Sequence, residues 1–153
     1  MITYGPETTT DEVLLGHDLT GRHFMITGAS SGLGEESSRA LAQAGATVTM
    51  LARNQSKLDT AIERIKSSNP SAILNTGIVD LSDQQSIRDY AHEFLATGVT
   101  IDVLINNAGV MVCPYSKTVD GIEMQFGTNH IVPVSYTHLR SHETPEHSVL
   151  HLM

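Results

Sequence analysis

Basic, aromatic and sulfur-bearing residues are scarce in this chain, and each scarcity excludes something. Nine Lys plus Arg stand against 17 Asp plus Glu, for a formal charge of -8, which disfavours nucleic acid or an anionic membrane surface as a main partner. The single cysteine, Cys113, rules out an internal disulfide and suits a reducing, cytoplasmic setting. No apolar run approaches the roughly 20 residues that a membrane span requires, and the first residues, Met1 to Asp11, lack the basic segment of a secretion signal. There is no Trp, no internal repeat and no low-complexity tract. The 40% hydrophobic and 17% charged content over 153 residues is that of one ordinary α/β domain with a real core.

What is present centres on Thr27-Gly-Ala-Ser-Ser-Gly-Leu-Gly34. It follows the apolar run His23 to Ile26 and opens a segment with helical spacing. A strand that feeds a glycine-rich turn and then a helix N-terminus is a phosphate-binding device, because glycine lets the backbone approach and the helix offers free N–H groups. Residues 1–20 are expected to form a loosely held surface arm, ending in the turn Asp18-Leu-Thr-Gly21.

Beyond the turn, Leu33, Ser37, Ala40, Leu41 and Ala44 fall on one helical face, and Gly45 stops the helix. Thr47 to Ala52 reads as a second strand, and Leu58, Ala61, Ile62 and Ile65 mark an amphipathic helix that ends at Ser67-Ser-Asn-Pro70. A third strand is expected from Ala72 to Asp80, interrupted by Gly77. Ser82 with Gln85 predicts a capping box for a third helix with the stripe Ile87, Tyr90, Ala91, Phe94 and Leu95. Gly98 closes that helix, and Ile101 to Ile105 reads as a fourth strand. A fourth helix is expected from Asp120, with Ile122, Gln125, Phe126 and Asn129 on one side. Strands alternating with helices predict an α/β, Rossmann-type doubly wound parallel sheet.

The spacing Gly28-x-x-x-Gly32-x-Gly34 is one residue longer than the simplest dinucleotide fingerprint. It gains specificity from Arg53 after strand two, Asp80-Leu81 after strand three and Asn106-Asn-Ala-Gly109 after strand four, all at carboxyl ends of strands, where open α/β sheets bind ligands. At the end of strand two a carboxylate would accept ribose hydroxyls, whereas a guanidinium binds a 2′-phosphate and stacks on adenine, so Arg53 favours NADP(H) over NAD(H). The bland alternatives are a solvated Arg53, an Asp80 that merely leads a helix, and asparagines that cap a strand end.

Taken together, these motifs resemble the short-chain dehydrogenase/reductase family over residues 1 to about 131, and Thr118-Val-Asp-Gly-Ile-Glu-Met-Gln-Phe-Gly-Thr-Asn-His130 is similar to its retinol-dehydrogenase-like branch. The resemblance implies strands 1 to 4 of the order 3-2-1-4-5-6-7, with residues 21–131 as the NAD(P)-binding half. It implies that Gly28, Gly32 and Gly34, with Leu33 between them, frame the pyrophosphate, and that Ser30 and Ser31 lie beside the adenosine ribose and its phosphate. Asp80 and Leu81 would meet the adenine edge, and Asn107, Ala108 and Gly109 would floor the adenine-side pocket. It further implies an oxidoreductase acting on an alcohol or carbonyl, lipophilic by the branch resemblance, in a homo-oligomeric parent. Of the family's catalytic set only Asn129, expected to support a proton-relay water, has a match. Tyr136-Thr-His-Leu-Arg140 imitates a Tyr-x-x-x-Lys pair, but arginine cannot replace the tuned lysine. A non-catalytic dinucleotide-binding or interaction module is the alternative, and a methyltransferase with a similar glycine loop is a second rival.

Five of the eight histidines lie from His130 onward. Their spacing is a poor zinc signal, because Pro145 breaks the helix that a His-Glu-x-x-His motif requires, so no metal site is expected. Pro133-Val-Ser-Tyr-Thr-His-Leu-Arg-Ser-His-Glu-Thr144 resembles the translated read-through of a sequencing adapter, and residues 132–153 are expected to be a non-native tail. On that expectation the fourth strand is an open apolar edge, which promotes association, and the chain is inactive by itself.

Overall fold

The computed structural model describes residues 4–131 and 149–151. Its elements in order are α1 (Thr10–Leu14), β1 (His23–Thr27), α2 (Gly32–Gln43), β2 (Thr47–Ala52), α3 (Gln55–Ser68), β3 (Ile73–Ile78), α4 (Gln84–Ala96), β4 (Val103–Asn106), α5 (Met124–Phe126), which runs into a π-helical turn Gly127–Ile131, and β5 (Val149–His151). The strands lie in the order β3-β2-β1-β4-β5, and all pairs are parallel. Every β-α-β step therefore needs a crossover, and the sheet is doubly wound in the Rossmann manner.

Alternation along the strands builds two cores. Ile26, Val48, Met50 and Ile105 face one side, where Ala42 of α2 and Leu58, Ala61 and Ile65 of α3 cover them. Met25, Leu51 and Leu104 face the other side, where Ile87, Tyr90 and Phe94 of α4 cover them. Neighbouring residues on β1, β2 and β4 thus belong to opposite layers, as the period of two in a strand demands. The anticipated face of α3 is the buried one. That of α2 is partly rotated: Ala40 is buried and Leu41 packs on the core as anticipated, but Leu33 is 80% exposed, and Gly34, Ser38 and Ala42 are buried too. Small residues let α2 lie close to the sheet, and the large Leu33 is left on the rim of the first turn.

Gly77 does not interrupt β3. It pairs in register with Leu51, and a Cβ on it would strike the Tyr90 ring and the Leu51 side chain. Tyr90 stacks on Phe94 with centroids 6.1 Å apart, and burial pushes its phenol up to about 12. Leu95, anticipated in the same stripe, is exposed.

Four other expectations are corrected. The arm is not loose: Thr9 and Glu12 form a capping box for α1, and Arg39 of α2 reaches Asp11 and Glu36, while Thr10 Oγ1 donates to Glu36 Oε1. The Arg39 guanidinium holds the Glu36 carboxyl at about 2. The N-cap of α4 is Asp83, not Ser82, because the Asp83 carboxylate accepts from the amides of Gln85 and Ser86. Residues 119–120 form a turn closed by Gly121 N donating to Thr118 O, and the helix starts only at Met124, capped by Glu123. The Asp120 carboxylate instead accepts from Gln84 N, which ties this loop to the start of α4. The outer edge of β4 is not open, since Leu104, Ile105 and Asn106 pair with the β5 backbone. An unpaired strand edge offers its N–H and C=O groups to any extended backbone within reach. The reading of residues 132–148 as part of a non-native tail lies outside the described residues, and no helix among the described residues is long and apolar enough to cross a membrane.

The amino end of the sheet is fixed by His23, which is buried. Its Nδ1 bonds Thr100 O at 3.1 Å and its Nε2 meets Thr49 Oγ1 at 2.8 Å. The Asp102 carboxylate accepts from His23 N and pairs with Arg22. With that end closed, the carboxyl end carries the loops of interest. Gly77→Ala, which presses a methyl into Tyr90, is expected to destabilise the fold by about 1–3 kcal/mol, measured as a lower urea midpoint; an unchanged midpoint would show that the ring yields freely.

Candidate functional site

β1 ends at Thr27, and the chain then turns through Gly28 at φ 66° and Gly32 at φ 59°, values that a side chain disfavours. Gly28 also needs its lack of a Cβ for space, because a Cβ there would lie 2.9 Å from Ala108 Cα. Asn107 closes the contact from the β4 side. Its Nδ2 donates to Thr27 O at 3.0 Å and to Gly28 O at 3.4 Å, while Ala108 N donates to Thr27 Oγ1 at 3.1 Å. The structure therefore brings Gly28, Gly34, Asn107 and Ala108 together, and the asparagine holds the glycine turn. Thr27 opens the motif read from the sequence but was given no role there; its hydroxyl accepts from Ala108 N.

Ser31 precedes α2 in an extended conformation, and no side chain caps the helix. α1, α3, α4 and α5 are each capped by a side chain, from Thr9, Asn54, Asp83 and Glu123. The first-turn N–H groups of α2 have no intrahelical acceptors, an arrangement that can accept an anion. Leu33 and Ser31 are exposed there, and Ser30 is half-buried.

Along the same sheet edge, Ala29 N bonds Leu51 O and Val79 N bonds Ala52 O. These bonds set Arg53 between the glycine turn and Asp80. Arg22, Arg39 and Arg64 are engaged with carboxylates and Arg88 with two glutamines, whereas the exposed Arg53 has no hydrogen bond or ion pair among the described residues. Asp80 Oδ1 accepts from Ser82 N at 2.8 Å and Ser82 Oγ at 2.7 Å, and Asp80 N donates to Ser86 Oγ at 3.0 Å. Asp80 thus shapes its own turn, while Leu81 packs against the core layer under α4.

Asn129 lies beside Gly109. Its Oδ1 accepts from Val110 N at 2.8 Å and its Nδ2 donates to Val110 O at 2.7 Å. Gln125, one turn earlier, accepts from Val112 N at 3.2 Å. Both ends of the Asn129 amide are thus occupied by backbone, so in this structure Asn129 is a positioning residue for the loop after β4. That loop carries Val112 at φ 53°, a conformation that a β-branched residue resists. Asn106 is buried at the end of β4, with a side-chain Nδ2 that finds no partner among the described residues. No cluster of His, Cys, Asp and Glu suited to a metal occurs among the described residues; His138, His142 and His147 lie outside them.

Asn107→Ala removes the donor to two carbonyls under the glycine turn. The expected cost is about 1–3 kcal/mol, read by chemical denaturation, together with faster amide exchange at Gly28 and Ala29; unchanged exchange there would show that Asn107 does not hold the turn.

A short chain dehydrogenase family model matches residues 22–139. A chloroplastic short-chain dehydrogenase, TIC 32 B of Brassica napus, is 42% identical over 130 residues, covering 84% of this chain and 40% of that protein. Human retinol dehydrogenase 11 is 44% identical over 121 residues, covering 79% of this chain and 38% of that protein. This chain therefore spans about two fifths of the length of these relatives. Among solved structures, a protein from Mycobacterium Paratuberculosis is 41% identical with a TM-score of 0.68, covering 80% of this chain and 42% of that one. A metagenomic short-chain oxidoreductase in complex with NADP is 28% identical with a TM-score of 0.67, covering 79% of this chain and 55% of that one. Sheet order, glycine turn and sequence agree, and the chain belongs to the short-chain dehydrogenase/reductase family.

Proposed function

We propose that this chain seats NADP(H), in preference to NAD(H), as the cofactor-binding part of an oxidoreductase that interconverts an alcohol and a carbonyl. The observation that carries the reading is one sheet edge on which an uncapped helix start and an unengaged guanidinium stand side by side. The donor set fits a dinucleotide phosphate by phosphate. The first-turn amides of α2 at Gly32, Leu33 and Gly34 suit a pyrophosphate, Arg53 suits a 2′-phosphate, and Ser30 and Ser31 are assigned to the adenosine ribose and its phosphate. Asp80 and Leu81 are assigned to the adenine edge, and Asn107 and Ala108, which hold the turn, are assigned with Gly109 to the floor of the adenine-side pocket. When bound, the cofactor would supply hydride chemistry at a carbonyl carbon; this chain's own residues would bind and orient it, and Asn129 and Gln125 hold the loop around Val110. A lipophilic alcohol or carbonyl is the substrate class, supported by the likeness to a retinol dehydrogenase. A reducing compartment such as the cytoplasm suits the lone Cys113.

A second reading, binding without turnover, is favoured by one specific observation. None of the four tyrosines is followed four residues later by a lysine, and Arg140 is too strong a base to tune Tyr136. Titration of the chain with NADPH and NADH tests both readings. NADPH is expected to bind more tightly, and Arg53→Ala to weaken NADPH by about tenfold with little change for NADH, as the loss of one charge-assisted phosphate contact would. Equal affinity for the two dinucleotides would overturn the NADP preference, and measurable carbonyl reduction by the chain would overturn the second reading.

A further inference from the structure

Glu35 and Glu36 follow directly on the glycine turn, at the fourth and fifth positions of α2. Acidic residues suit a helix start, but a pyrophosphate on the same turn would be repelled by bare carboxylates about 6 Å further along the axis. Each of the two is matched by a guanidinium. Arg64 of α3 donates from Nε and NH2 to the two oxygens of Glu35, at 2.7 Å each. Arg39, one turn further along α2, donates from Nε and NH2 to the two oxygens of Glu36, at 2.8 Å each, and the same NH2 reaches Asp11 of α1 at 2.8 Å. These four residues line one notch of about 170 Å³ together with Gly32 of the glycine turn and Ile65.

We propose that Arg39 and Arg64 are positioning residues of the dinucleotide site, which cancel the charges of Glu35 and Glu36 and tie the first turns of α2 to α1 and α3. The inference rests on the reading of Gly28 to Gly34 as a dinucleotide seat. Exposed ion pairs contribute little to fold stability, so stability alone does not account for two such pairs at one helix start. The Glu35 side chain is 18% exposed and that of Arg64 is 53% exposed. The carboxylate is therefore the less screened partner, and without Arg64 its field acts on the neighbouring anion site within one Debye length.

The test uses the full chain, with NADPH and NADH as probes of different charge. Arg64→Gln is expected to weaken NADPH binding by about three- to tenfold at low salt, NADH less, with the difference shrinking in high salt. In the double variant Glu35→Gln, Arg64→Gln, affinity returns to within about twofold of the parent, because the uncompensated charge is gone. Arg39→Gln with and without Glu36→Gln repeats the comparison at the second pair, and a thermal melt of each variant confirms folding. Unchanged NADPH affinity in both arginine variants, or double variants that bind as weakly as the single ones, overturns the inference. A parent chain that binds neither dinucleotide overturns the reading of the site itself, a result distinct from either of these.

Discussion

When β1 ends, the carbonyls of Thr27 and Gly28 turn away from the sheet ladder while still beneath the surface, and something must accept their company. The side-chain amide of Asn107 does so from the neighbouring strand. Because β1 and β4 are parallel, both strands end at the same edge, so one asparagine can reach the turn that follows the other strand. Much follows from this contact. Gly28 has to be glycine because Ala108 is pressed against it, and Gly34 because Asn107 fills the space a Cβ would need. The start of α2 is thereby fixed against the sheet, and its amides are aimed outward.

The two apolar layers serve the same end. Small residues on the buried face of α2 bring that helix near the sheet, and the larger residues of α3 and α4 fill the flanks. At the far end, His23 and Asp102 close the sheet with hydrogen bonds to backbone and side chain. One end of the sheet is thus occupied with its own polar groups, and the other presents Arg53, the turn at Asp80 and the uncapped helix. Polar groups gather at both ends because strand termini leave backbone groups unpaired, and at the carboxyl end the Arg53 guanidinium has no partner among the described residues.

Much of this was legible in the residues. The alternation of apolar runs with helical spacing foretold the four strands and their parallel pairing, and the family resemblance supplied their order. The glycines, Arg53, Asp80 and Asn107 stood out because each lies where a strand gives way to the turn or helix that follows. The misses share a cause. Leu33 fitted the period of a buried face, yet the depth at which α2 packs is set by Gly34, Ser38 and Ala42, which periodicity weighs lightly. Gly77 looked like an interruption because the ring that needs its space, Tyr90, is 13 residues away in sequence and on another element. The docking of α1 depended on Arg39 meeting Asp11 across 28 residues, and long-range ion pairs have no local signature. Asn129 was identified by type and position, whereas its engagement with Val110 on both sides required coordinates.

The loop after β4 carries one more implication. Asn129 grips Val110 at both its N–H and its C=O, Gln125 holds Val112, and Val112 keeps a left-handed backbone that its branched side chain opposes. A segment held in that way is ordered by the protein's own folding. A molecule that settles beside it meets a surface whose conformational entropy has already been surrendered, so the loss of loop freedom does not have to be charged against its affinity.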